Sequence, residues 1–158
     1  MPQQKVLIIS VDPDSCSAEA RKLLLEESGY QVLVATNVKD GLELFAQHAI
    51  DIALVDYEMP FMNGGLVAAR MKGTKPSVPV MVFAAHGHLA KNKLSSADAF
   101  VTEGEPWSMV LAKVDELVRL SAPFFSRWLE DWKHRGDLTL EARPERWPSV
   151  EDTRKTIH

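Results

Sequence analysis

Short β-branched or aliphatic runs alternate with longer polar segments of helical periodicity through the first 120 residues, the pattern of βα units around a parallel sheet. Lys5 to Ile9 reads as strand one. A helix from about Ser15 to Ser28 follows, with Cys16, Ala20, Leu23 and Leu24 on its apolar face and Gly29 as its stop. Gln31 to Ala35 is strand two, and Asn37 caps a helix in which Val38, Leu42, Phe45 and Ala49 recur at three- and four-residue spacing. Ile52 to Val55 is an unbroken apolar run, as expected of a strand covered on both faces. Beyond Met59-Pro60 a short helix spans Gly64 to Lys72, and Val78 to Ala85 is strand four with Pro79 at its start. Leu89 to Ser95 allows about two helical turns. Ala99 to Val101 is strand five, and Pro106 opens a helix carrying Val110, Val114, Leu117 and Ser121 on one side. Five strands and five helices give a doubly wound α/β domain.

The chain has 158 residues, 46% hydrophobic and 25% charged, which is enough for one domain with a core and a short extension. The expected division is a domain at 1–122 and a C-terminal segment at 123–158. The formal net charge is −4 with no basic block, so nucleic-acid binding by electrostatics alone is not expected. No apolar run approaches the length of a bilayer span and no signal-peptide pattern opens the chain, so the expectation is a soluble cytoplasmic protein. The single cysteine, Cys16, excludes an internal disulfide, and its place in the pattern makes it a small core residue.

Loops leaving the carboxyl ends of parallel strands are where chemistry is expected. Here they bring Ser10, Val11, Asp12 and Asp14 after strand one, Asp56 to Asn63 after strand three, Ala84 and Ala85 after strand four, and Thr102 to Pro106 after strand five. Asp56 ends an apolar run, where a carboxylate needs a cation, a hydrogen bond or a reaction. His86-Gly87-His88 could chelate a metal, but His48, His134 and His158 supply no third ligand at a recognised spacing. Neither a Walker A pattern nor a GxGxxG is present, which argues against a nucleotide phosphate site.

Asp51-Ile-Ala-Leu-Val-Asp56-Tyr-Glu-Met-Pro60-Phe-Met-Asn-Gly64 resembles the phosphoacceptor segment of the receiver domains of two-component response regulators. The resemblance runs from about Lys5 to Leu120. It takes in Asp12-Pro13-Asp14, Pro79-Val-Met-Val-Phe-Ala-Ala85 and Ala97-Asp98-Ala99-Phe100. It implies a five-stranded parallel sheet in the order 2-1-3-4-5, flavodoxin-like, and Asp56 as the aspartate that would attack a phosphoryl donor.

Around Asp56 the resemblance also implies departures. The acidic pair for Mg²⁺ falls on Ser10 and Val11, leaving Asp12 one step along, so any metal would fall to Asp12 and Asp56. The hydroxyl position falls on Ala84, and the lysine position on Glu103 or Glu105, either of which would repel a phosphoryl group. Phe100 takes the aromatic switch position, where a plain core aromatic is expected. The span between strand four and Phe100 is a few residues shorter than in receivers.

After Pro123, the residues Phe124, Phe125, Trp128 and Trp132 share one face of a further helix, which is expected to pack on the domain and otherwise offers an interaction surface. The combined expectation is a stand-alone, degenerate receiver that is not an enzyme. It would act by contact with signalling proteins such as a histidine kinase or a downstream regulator, without a required cofactor, and a homodimer is left open. Two alternatives are a working phosphoacceptor using Asp56 with Mg²⁺, and a small enzyme or cofactor carrier on the same fold.

Overall fold

The computed structural model describes residues 5–85, 96–121 and 129. Five strands, β1 (Leu7–Val11), β2 (Gln31–Ala35), β3 (Ile52–Asp56), β4 (Val80–Ala84) and β5 (Ala99–Thr102), pair in parallel in the order β2-β1-β3-β4-β5. Among the described residues four helices surround them: α1 (Ser15–Glu27), α2 (Val38–Gln47), α3 (Gly64–Thr74) and α4 (Trp107–Leu120). The helix expected at Leu89 to Ser95, His86 and His88, and the aromatic stripe of Phe124, Phe125, Trp128 and Trp132 lie outside the described residues.

Because side chains alternate along a strand, the sheet divides its apolar residues between two cores. Ile9, Val11, Ala53, Val55, Val80 and Val82 point toward one face and pack with Phe45 of α2 and Val67, Ala68 and Met71 of α3. Ile8, Ile52, Leu54 and Met81 point the other way, toward Leu25 of α1 and Val110, Val114 and Val118 of α4. Two carboxylates pin the amino ends of strands: the buried Asp51 accepts a hydrogen bond from the Leu7 amide at 2.8 Å, and Asp98, at the surface, accepts one from the Val80 amide at 2.8 Å.

Strand one and the inner face of α1 both differ from what the sequence pattern predicts. Strand one runs to Val11, two residues beyond its expected end, so Ser10 and Val11 are fully buried ladder residues. The apolar residues flanking them were enough to extend the strand, since Val34 and Leu54 pair with Ser10, and Ala35 and Val55 with Val11. The inner face of α1 is also not the one expected. Ala18 and Leu25 are buried, whereas Cys16, Leu23 and Leu24 are exposed. Cys16 is therefore a surface thiol. Its amide is taken up by the Asp14 side chain that caps the helix, which places Cys16 in the first turn on the outer side.

Candidate functional site

Even-numbered positions of β1 and β3 face α1, and this parity builds the site. Ser10, Asp12 and Asp56 continue the rows of Ile8 and of Ile52 and Leu54 past the core to the carboxyl edge of the sheet. On β4, Phe83 packs against the same core. Arg21, one turn before the buried Leu25, is the α1 residue that reaches this corner.

Arg21 meets all four groups. Its Nη2 donates to Asp56 Oδ1 at 3.1 Å and lies 3.5 Å from Asp12 Oδ2, within ion-pair range without a hydrogen bond. Nη1 donates to the Ser10 hydroxyl at 3.4 Å, and the guanidinium carbon sits 4.0 Å from the centre of the Phe83 ring. A planar, weakly hydrated cation suits this slot, since it can stack on an aromatic face while its fork addresses oxygens at the rim. The Arg21 side chain is 12% exposed, Asp12 1% and Asp56 25%.

Asp12 is held from behind. Its Oδ1 accepts from the Asp14 amide at 2.8 Å, and its amide donates to the Ala35 carbonyl at 3.0 Å, so Oδ2 alone faces the cation. Burial pushes the Asp56 carboxyl up to about 6 from its ordinary 3.8. The Arg21 charge pulls it down and the Asp12 charge adds to the rise.

The segment after β3 folds back tightly. Gly64 donates its amide to the Tyr57 carbonyl at 2.7 Å, and a Cβ there would lie 2.4 Å from the Asp56 carbonyl oxygen. Glycine is the residue that allows this approach. Asn63 caps α3 by accepting from the Leu66 amide at 3.0 Å, and Phe61, two residues before it, is fully exposed with φ of 69°.

The remaining expected site residues do not join Asp56. Val11 packs into the opposite core against Gly41 of α2, where an added Cβ would come within 2.8 Å of a Val11 methyl. Ala84 is buried and offers only a methyl group. The carboxylates expected to oppose a phosphoryl group are engaged elsewhere or open to solvent. Glu105 pairs with Lys113 at 2.9 Å and accepts from the Thr102 amide and hydroxyl, which together hold its carboxyl below the usual range, the Lys113 hydrogen bond contributing most. Glu103 is exposed. Phe100 is 45% exposed and so is not the expected core aromatic.

The missing element of the sequence reading is therefore Arg21. It was legible only through the true face of α1, where Ala18, Arg21 and Leu25 recur at three and four residues. The orphaned Asp12 Oδ2 would suit a bound cation, but the neighbouring ligand positions are a serine hydroxyl and a valine, and one guanidinium nitrogen already serves both carboxylates. Among the described residues no three His, Cys, Asp or Glu side chains converge as a metal site. The donor set does not fit a divalent ion while Arg21 is in place.

Residues 8–101 match the family described as the response regulator receiver domain. The chain is 25% identical over 144 residues to the transcriptional regulatory protein GlrR of Escherichia coli (strain K12), covering 89% of this chain and 32% of that one. It is 26% identical over 155 residues to the response regulator MprA of Mycobacterium leprae (strain TN), covering 92% and 68%. It thus spans about a third of the first relative and two thirds of the second. Among solved structures, the response regulator TrrA of Thermotoga maritima, in complex with Mg²⁺ and BeF, superposes with a TM-score of 0.68 at 26% identity, over 71% of this chain and 98% of that one. A receiver domain protein from Methanospirillum hungatei, at 24% identity and a TM-score of 0.68 over 73% and 94%, shares the fold.

Proposed function

Since the chain belongs to the response regulator receiver domain family of two-component signalling, we propose that it serves there as a protein-interaction module whose pocket does not depend on phosphoryl transfer. The observation that carries this reading is the Arg21 to Asp56 ion pair at 3.1 Å. The carboxylate that would act as nucleophile is engaged by a cation of its own chain, with a second carboxylate beside it. At the positions where the resemblance implies groups that stabilise a phosphoryl oxygen, the chain has the Ala84 methyl and either Glu103 or Glu105, none of which donates a hydrogen bond. Its partners are signalling proteins, a sensor kinase or a downstream regulator, met by contact in the cytoplasm.

The test is incubation with Mg²⁺ and a small phosphodonor followed by intact-protein mass spectrometry. No adduct is expected on Asp56. A stoichiometric acyl phosphate there would overturn the reading in favour of a working phosphoacceptor, which the one-quarter exposure of the Asp56 side chain supports.

A further inference from the structure

Four observations meet at Arg21. Two carboxylates, Asp12 and Asp56, both reach one guanidinium nitrogen, at 3.5 and 3.1 Å. Asp12 is buried and its Oδ2 has no hydrogen bond, so this oxygen is compensated by charge alone. The buried Ser10 hydroxyl receives the other nitrogen, and the Phe83 ring supports the guanidinium plane. The arginine is thus fixed by an aromatic face and a hydroxyl while its charge is shared by two acids, an arrangement built for a cation.

We infer that the Arg21 guanidinium is the resident cation of this pocket, taking the place of a divalent metal ion between Asp12 and Asp56 and competing with it for both carboxylates. A divalent ion entering next to a fixed guanidinium would meet like charge at a few ångströms in a half-buried site, so it can bind only by displacing the arginine. Displacement would forfeit the Phe83 stacking and the Ser10 hydrogen bond as well as the ion pairs. In exchange the metal would gain two carboxylates and keep most of its water, which is an ordinary coordination for Mg²⁺ or Mn²⁺. Neutralising position 21 should therefore create a divalent-cation site that the native chain withholds.

This deepens the reading of a pocket that does not depend on phosphoryl transfer, and its test contains no phosphodonor. A failure here leaves the mass-spectrometric result standing, and an acyl phosphate on Asp56 would leave the metal result standing. The measurement is Mn²⁺ titration of the full chain, read by loss of the electron paramagnetic resonance signal of the free aqueous ion. Asp12→Asn and Asp56→Asn variants serve to subtract binding elsewhere.

Wild type is expected to bind no more Mn²⁺ than these controls. Arg21→Gln and Arg21→Ala should bind at least about tenfold more tightly, the effect of removing one nearby like charge. Asp12→Asn placed in the Arg21→Gln background should abolish that gain. Arg21→Lys should stay near wild type, because it keeps the charge. A residue that merely packs α1 on the sheet would instead make the Gln, Ala and Lys replacements alike. The inference is overturned if Arg21→Gln binds no more tightly than wild type, or if its gain survives the loss of Asp12. Should the Gln and Ala variants fail to fold, wild type decides the matter alone: Mn²⁺ bound by wild type and lost in Asp56→Asn overturns the exclusion, and equal binding by the two upholds it.

Discussion

At the scale of single residues the pocket is a contest between burial and charge, and burial wins at Asp56. Its carboxyl is raised to about 6 from 3.8, so the folded chain holds the proton more tightly than the unfolded chain does. The stabilising contribution is fully present below about pH 4, declines as the pH rises through about 6, and is absent above that. In a site one-quarter open to water its size is about 2 kcal/mol. Asp56→Asn carries no such dependence. The difference in unfolding free energy between this variant and wild type, followed by urea denaturation from pH 4 to 8, should therefore grow in favour of the variant as pH rises. A wild-type protein at least as stable as Asp56→Asn at pH 7.5 would show that Arg21 outweighs burial. Arg21 itself behaves oppositely. Arg21→Ala leaves Asp12 and Asp56 facing each other without a counter-ion and should cost about 2 to 4 kcal/mol near neutral pH, toward the lower end of what breaking a buried pair costs. Combined with Asp56→Asn, the same change should cost clearly less, and additive losses in that double-mutant cycle would contradict direct coupling.

The elements explain why the arginine was hidden. Asp56 stood out in the sequence because an acid ends an apolar strand, and the loop to Gly64 because its residue types are so constrained. Arg21 did not, since α1 presents two sets of apolar residues. Cys16, Ala20, Leu23 and Leu24 make the longer stripe, yet the helix buries Ala18 and Leu25. The buried face lies roughly half a turn around the helix from the longer stripe, and it carries Arg21 to the sheet edge. Ser10 lies beyond the apolar run that marks strand one in the sequence, yet the strand continues through it to Val11 and makes it a buried acceptor for that arginine. The strand order is the one the resemblance of the Asp51 to Gly64 segment implies, and the start of α4 is legible because Pro106 suits the opening of a helix. A methyl group at Gly64 would press on the Asp56 carbonyl and the Tyr57 Cα at 2.4 and 2.7 Å, atoms of the backbone that cannot swing aside. Gly64→Ala should cost about 1 to 3 kcal/mol, the range for forced overpacking, and should shift the Asp56 carboxyl titration seen by NMR. A Gly64→Ala protein with unchanged stability and an unchanged Asp56 titration would show that the loop relaxes at no cost to the site.

Across the whole molecule the question is whether the Asp56 corner speaks to the β5–α4 side. The sheet separates two cores, and Arg21 belongs to the one shared by α1 and α4. Between Asp56 and β5, however, stands Ala84, which has no group that could exchange partners when charge changes at Asp56. The β5–α4 side is fastened independently: Lys113 on α4 donates to the Phe100 carbonyl at 3.3 Å and pairs with Glu105, which in turn accepts from Thr102. None of these contacts includes a residue of the Asp56 corner. Adding Mg²⁺ and beryllofluoride should therefore leave amide hydrogen exchange across residues 99–120 unchanged in wild type. Lys113→Ala, by contrast, removes the fastening and should speed exchange at β5 and the first turns of α4, which shows that the measurement can register a loosened face. Protection or exposure of residues 99–120 on addition of beryllofluoride, lost again in Asp56→Asn, would demonstrate a connection through the sheet that the methyl at Ala84 does not supply.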